Sequence, residues 1–386
     1  MTTLPLITDS GTIESYRLVG TPLVTLKAPA KWNRVAFAAA HVVADSLSNA
    51  DPSGKPAIDW GRTLAYRAYL FDQGFSIAEA MDTSQRGMGL NWHGAHDLIA
   101  RSLEAAGARR AMIFSGVGTD QLSPIDARSL DDVIRAYLEQ LHAIQKLDGR
   151  VILMASRALA RIARSPDDYL AVYARVLAEA DQPVILHWLG DMFDPALAGY
   201  WGDDNFASTM ETCLAAIAAN PAKVDGIKIS LLDAQKEIVM RRRLPKGVKM
   251  YTGDDFNYPE LIGGDDEGFS HALLGIFDAI APAAALALSA LAKGDRATYD
   301  KLFAPTVPLS RLIFRAPTQY YKTGIVFLAW LNGFQDHFVM IAGAQAMRPL
   351  PYFSGIFRLA DQAGHLRDPL LAVKRMRELN ALYGVD

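Results

Sequence analysis

Lys228 is the residue whose type and setting best suit covalent chemistry. It sits in the middle of an apolar run, Val224-Asp225-Gly226-Ile227-Lys228-Ile229-Ser230. A strand turns alternate side chains to opposite faces, so Val224, Gly226, Lys228 and Ser230 share one face and the two isoleucines the other. With Ile227 and Ile229 against covering helices, Lys228 points into an interior. Burial disfavours the ammonium form, and a partly neutral amine can attack a carbonyl to form a Schiff base. The same placement also suits a lysine held by a carboxylate for structure alone, and the sequence leaves both roles open.

Other reactive residue types stand at or near the ends of similar short runs. His187 lies in Pro183–Trp188 and could be a general acid/base near neutral pH or a hydrogen-bonded structural imidazole; His41, after Arg34–Ala40, has the same two roles open to it. Glu79 belongs to Ser76–Ala80, and Asp82, Thr83, Ser84 and Arg86 come next. Thr83 and Ser84 could bind a carboxylate or hydroxyl through side chains and backbone N–H groups, or simply cap their loop. Arg86 could grip a carboxylate or phosphate in bidentate fashion, or pair with Glu79 or Asp82. Gly253, Asp254 and Asp255 come after Val248–Thr252; Glu79 and the two aspartates could orient sugar hydroxyls or the lysine, or serve as caps. Arg157, after Val151–Ala155, suits substrate charge better than proton transfer, because guanidinium does not release its proton.

The elements that carry these residues alternate regularly. The expected strands are Arg34–Ala40, Ser76–Ala80, Arg110–Ser115, Val151–Ala155, Pro183–Trp188, Gly226–Ser230, Val248–Thr252 and His271–Phe277, with helical segments between them. Eight such units over residues 32–300 predict an α/β fold, a (β/α)8 TIM barrel, in which chemistry collects at the C-terminal ends of strands. A doubly wound open sheet is the second choice. Residues 1–31 read as a small β extension, with strands at 13–20 and 22–28. Residues 301–386 read as a helical segment, clearest at Tyr320–Asn332 and Leu370–Leu382.

On these strand-end motifs the chain resembles the dihydrodipicolinate synthase / N-acetylneuraminate lyase superfamily of class I aldolases, and within it an uncharacterised bacterial domain-of-unknown-function branch. The family segment G-[IV]-K-D-[ST] corresponds to Gly226-Ile227-Lys228-Ile229-Ser230, and a Gly-Asp-Asp-like turn to Gly253-Asp254-Asp255. A Gly-x-Gly turn corresponds to Gly116-Val117-Gly118. The family's Gly-Thr-Thr-Gly-Glu, which holds the carboxylate of a 2-oxo acid, has Asp82-Thr83-Ser84-Gln85-Arg86 in its place. The resemblance implies a Schiff-base lysine at Lys228, a small carbonyl substrate and a homo-oligomer, dimer or tetramer. Two departures accompany it. Ala155-Ser156-Arg157 stands where the family has a proton-relaying tyrosine, and His187-Trp188-Leu189-Gly190 stands where it has Tyr-Asn-x-Pro.

Composition narrows the classes further. With 39 Lys and Arg against 42 Asp and Glu, net charge −3, there is no electrostatic case for nucleic acid or an anionic membrane surface. One cysteine, Cys213, excludes an intrachain disulfide framework and fits a cytoplasmic setting. The N-terminus carries no secretion signal, and the apolar stretches at 272–292 and 324–347 are interrupted by polar residues, so buried helices are expected there. No P-loop, nucleophile elbow or complete dinucleotide fingerprint occurs, and no cofactor is expected. The leading expectation is a lyase, aldolase or dehydratase acting through Lys228 and His187 on a 2-oxo acid or sugar-derived oxo compound. A metal-dependent sugar isomerase or epimerase, with ligands from Glu79, His187 and Asp254 or Asp255, is the alternative, and a non-catalytic metabolite-binding barrel comes third.

Overall fold

The computed structural model describes residues 3–26 and 31–385. Strands β1 (Thr3–Ile7) and β2 (Ile13–Arg17) form an antiparallel N-terminal hairpin. Eight further strands are β3 (Ala36–Ala39), β4 (Ser76–Glu79), β5 (Ile113–Val117), β6 (Arg150–Leu153), β7 (Val184–Leu189), β8 (Val224–Ser230), β9 (Lys249–Thr252) and β10 (His271–Leu274). These eight run parallel and close a barrel in the order β10-β3-β4-β5-β6-β7-β8-β9. Helices connect the strands and start on side-chain caps: Asn91, Ser129, Asn205 and Asp233 each accept hydrogen bonds from the first-turn amides that would otherwise lack partners.

Alternation sorts each strand into two layers. Ile77, Ile113, Val117, Leu153, Leu186, Ile227 and Ile229 face the helices in the main core. Phe37, Ala78, Phe114, Ile152, Ile185, Tyr251 and Leu273 fill the barrel. The filling is tight. Phe37 packs edge-on against Phe114 at 5.0 Å, and Gly226 is glycine because a Cβ there would come within 2.6 Å of the Tyr251 ring and 2.5 Å of the Lys249 carbonyl.

Beyond strand ends that move by one or two residues, the sequence expectations differ from the structure at three places. β5 begins three residues late, because Gly107–Met112 forms 3-10 turns before it. β10 stops at Leu274, since the Ile276 amide donates to Asp255 at 2.8 Å and starts a short helix, Ile276–Ala279. The hairpin pairs β1 with β2, and not 13–20 with 22–28. The reason is burial: Leu4 and Leu6 are covered, whereas Val24 is 76% exposed. Lys27 and Ala28 lie outside the described residues.

The C-terminal helices pack on both the hairpin and the barrel. Tyr16 Oη and the Val19 amide each donate to Asp361 at 2.8 Å, and the Ile7 amide donates to Ser354. The helix Tyr321–Leu331 is buried along its whole length, as expected, and reaches the C-terminal end of the barrel. Among the described residues no helix is long and apolar enough to cross a membrane.

Candidate active site

The barrel filling ends at Tyr251, and the next positions up β7 and β8 are polar. In register, Ile185 lies beside Gly226, and His187 beside Lys228; Lys228 in turn lies beside Tyr251. Ile185 and Tyr251 point inward, so Lys228 and His187 do too. Lys228 is 8% exposed, and no ion pair among the described residues includes it. Burial lowers its pKa, against the opposing fields of Asp255 and Asp82. Asp255 is buried too, and burial pushes its carboxyl up to about 7, against the Ile276 amide hydrogen bond and the lysine. Burial thus works against the charged form of both groups, while each favours the charge on the other.

His187 Nε2 and Ser230 Oγ are 3.1 Å apart. Burial, and then the nearby lysine, push the imidazole well below its usual range, so it is neutral at pH 7. Gly253 makes this crowding possible. A Cβ there would lie 2.2 Å from Ser230 Oγ and 2.8 Å from Lys228 Cε.

The loop after β4 closes into a 3-10 turn, Asp82–Ser84. Ser84 donates both its amide and its hydroxyl to the Met81 carbonyl, at 3.1 and 2.7 Å, so it acts as a loop cap. Thr83 is different. Its hydroxyl shares a 2.8 Å hydrogen bond with Tyr321 Oη, whose ring stacks on Phe314 at 4.3 Å. Tyr321 lies within the fields of Asp82, Asp255 and Asp278, and burial raises its pKa well above the ordinary value. A buried phenol thus stands beside the lysine's carboxylates although the β6 end carries no tyrosine. No spacing signal points to it: the sequence marks its helix, not where that helix docks.

Several expected site residues are committed elsewhere. Glu79 points outward from β4 into the helix layer, where Arg67 grips it with two 2.8 Å hydrogen bonds and Ser102 and the Ala80 amide donate as well. It orients neither substrate nor lysine. Arg86 pairs with neither Glu79 nor Asp82. Its five N–H donors go to both Asp120 oxygens, Gln140 and the Ala80 and Gly116 carbonyls. Asp254 accepts from the Phe256 and Asn257 amides and from Asn257 Nδ2, which makes it a turn residue. His41 holds Asp278 at 2.8 Å and is fully buried against Tyr66, with no described partner for Nε2. Glu79 therefore cannot join His187 and Asp254 in a metal site, and no group of three or more His, Cys, Asp or Glu among the described residues is arranged for an ion.

A cavity of about 340 Å³ opens at this end of the barrel. Its polar wall includes Asp82, His187, Thr119, Arg157 and Asp194; its apolar wall includes Leu122, Pro124, Leu189 and Leu197. Lys228 is not itself on the wall. It lies beside His187, which does line the cavity, on the adjacent strand. Arg157 Nε is 2.5 Å from Asp194, which leaves its terminal nitrogens facing the cavity side near Gly87.

The fold is shared with several solved structures. The chain is similar to a putative dihydrodipicolinate synthetase from Pseudomonas aeruginosa, with TM-score 0.60 and 16% identity over 83% of this chain and 99% of that one. It is similar to dihydrodipicolinate synthase from Thermotoga maritima, with TM-score 0.62 and 12% identity over 87% and 99%. It is also similar to an E. coli K12 prophage protein of the dihydrodipicolinic acid synthase family in complex with pyruvate, with TM-score 0.63 and 14% identity over 92% and 99%. At these identities the likeness establishes the barrel architecture. No curated protein matches the sequence. The model of one family, described as a protein of unknown function (DUF993), matches residues 4–385, and the chain belongs to that family.

Proposed function

We propose that the protein is a Schiff-base-forming lyase of the class I aldolase type, cleaving or forming a carbon–carbon or carbon–oxygen bond next to a carbonyl. The observation that carries this reading is Lys228: an inward-facing, buried lysine without an ion pair, next to a neutral imidazole, at the catalytic end of a barrel. The similarity to aldolase-fold structures supports it as analogy.

In this reading the neutral Lys228 amine adds to the substrate carbonyl, and loss of water gives a protonated imine. For carbon–carbon cleavage the imine draws in the electron pair of the bond that breaks on the neighbouring carbon, leaving an enamine; for carbon–oxygen cleavage the neighbouring carbon loses a proton to give the enamine, which expels the oxygen one carbon further on as water. After carbon–carbon cleavage the enamine is protonated on carbon; in both cases water then releases the product and restores the amine. Each step moves a proton. In this reading Asp255, whose charge acts on Lys228, takes and returns the one exchanged at nitrogen, and the Thr83–Tyr321 pair and His187 serve those on substrate oxygen and carbon. No cofactor is required. Residence in the cytoplasm and assembly as a homo-oligomer belong to the same proposal, and sedimentation of the purified chain tests the second.

The test is trapping. Protein is incubated with a panel of aldehydes, ketones and 2-oxo acids, reduced with borohydride, and weighed intact. The expected result is a single adduct that peptide mapping places on Lys228 and that Lys228→Ala abolishes while circular dichroism is unchanged. Folded protein that gives no adduct with any carbonyl would sink the proposal.

A further inference from the structure

Two arginines line the cavity, and they are committed to different degrees. Arg86 has spent every donor it has. Arg157 has spent only its Nε, which is 2.5 Å from Asp194, and neither of its terminal nitrogens donates to any described residue. The Asp194 contact fixes the guanidinium from one side and leaves open the edge that carries one N–H from each terminal nitrogen. That edge is turned toward Gly87, on the loop after β4 and also on the cavity wall. A Cβ at Gly87 would lie 3.3 Å from one terminal nitrogen and 3.7 Å from the other; the backbone there, at φ +73°, favours glycine, and the absence of a side chain leaves both nitrogens uncovered. The next residue, Met88, has its Sδ 3.1 Å from Nζ of Lys322, a buried lysine in no ion pair among the described residues, so a second basic group stands at this end.

Depth separates Arg157 from the reacting lysine. Leu153 pairs with Leu186, so Met154 comes level with His187, and His187 is level with Lys228. Arg157 follows three residues after Met154, and its side chain is 43% exposed where Lys228 is 8% exposed. His187, the neighbour of Lys228, thus marks the deep end of the cavity and Arg157 the rim. Much of the remaining wall is apolar, with Leu122, Pro124, Met154, Leu189 and Leu197. In a 2-oxo acid the carboxylate and carbonyl are on adjacent carbons, too close together to reach the rim and the lysine at once. Asp82, whose carboxylate accepts no hydrogen bond from any described residue, and Asp194 share the wall, so a singly charged carboxylate suits the rim better than a phosphate dianion.

Building on the imine reading, we infer that the substrate is an oxo acid whose carboxylate is separated from the reacting carbonyl by an apolar chain, and that Arg157 binds this carboxylate in bidentate fashion through its two terminal nitrogens. The guanidinium thereby fixes substrate orientation at a position where the resembled family has a tyrosine. The bond made is carbonyl carbon to Lys228 nitrogen, with the carbonyl oxygen leaving as water; the carboxylate is held without covalent change.

Matched carbonyls test this. The probes are 5-oxohexanoate, 6-oxoheptanoate and 7-oxooctanoate, each beside its methyl ester, which lacks the charge, and its 2-oxo isomer, which moves the carbonyl next to the acid. Each is trapped with borohydride on wild type and Arg157→Met, and the adduct on Lys228 is quantified by peptide mapping. Each yield is divided by that of a simple lysine peptide under the same conditions. The expected result is that wild type favours one chain length of distal acid over its ester by about tenfold or more, and over its 2-oxo isomer. Arg157→Met, folded by thermal melt, should bring that acid-to-ester ratio to about one. Esters trapped as well as the acids at every chain length overturn the inference and leave the imine intact. So do 2-oxo isomers trapped better than the distal acids, and so does an Arg157→Met ratio equal to that of wild type. Failure of every probe on folded wild type overturns both readings.

Discussion

Two buried charges in the barrel wall show how the same burial serves opposite ends. On β4, Glu79 faces the helices and every nearby donor is turned toward it: Arg67 in bidentate fashion, Ser102 and the Ala80 amide. On β8, Lys228 faces the barrel, and the groups that could neutralise it act across space without closing an ion pair. A buried charge with all its hydrogen bonds made is fixed in one protonation state and one geometry. A buried charge without them is free to lose its proton, and that freedom is what nucleophilic chemistry requires. Side-chain direction, a matter of one residue's parity along a strand, separates the two cases.

The sharpest way to break the contrast is to truncate each residue. Lys228→Ala should lose all covalent trapping yet keep or slightly raise the melting temperature, because a desolvated amine is removed. Glu79→Ala should do the reverse, lowering stability in a urea titration by about 3–5 kcal/mol, since Arg67 is left as an uncompensated buried charge. The double variant Glu79→Leu/Arg67→Met should recover a large part of that loss. Equal stability losses at both sites would show that Lys228 is structural after all.

A second test separates imine formation from the later proton transfers. Tyr321→Phe removes only the phenol oxygen that Thr83 holds. It should leave borohydride trapping on Lys228 intact and slow turnover of any substrate so identified by about 10²-fold or more, within the range for a lost proton-transfer group. Trapping lost together with turnover would mean that Tyr321 shapes the site without moving protons.

The pH dependence has a defined sign. The amine attacks only when deprotonated, so the trapping rate should rise with pH, with a midpoint below the ordinary lysine value of 10.5. Asp255 holds that midpoint up, and Asp255→Asn should move it further down. A midpoint at the ordinary lysine value would show a solvated amine.

The smallest effect is expected at Glu237, buried in the helix layer with Oε2 unpartnered. Burial pushes its carboxyl up to about 8. Between the ordinary value of 4.5 and about 8 the folded state binds the proton that the unfolded state has released, so stability falls as pH rises through that window. Glu237→Gln should flatten this part of a melting-temperature profile.

Much of this is legible in the chain itself. Short apolar runs separated by capped helices mark eight strands in their proper order, and parity places Lys228 inward and the flanking isoleucines outward, as the barrel shows. The basic run at 241–249 reads as a solvated turn far from the site; Arg242 and Arg243 are on the surface, paired with Asp265, Glu267 and Glu211, whereas Arg241 ends a helix with its side chain buried against Asp265. Parity applied to Glu79 turns it outward as well, since Ala78 points in; nearness to a strand end is a weaker guide than direction.

Local sequence determines element type, order and side-chain facing, because those depend on periods of two and 3.6 residues and on nearby caps. It does not determine which distant groups meet. That Arg86 spends every donor on Asp120, Gln140 and two carbonyls, that Asp82 is left without a partner, and that Tyr321 arrives beside Thr83 from 238 positions away were decided only when the barrel closed and the C-terminal helices docked on its end. Hydrogen-bond satisfaction depends on all neighbours within about 3 Å, and most of those neighbours are remote in the chain.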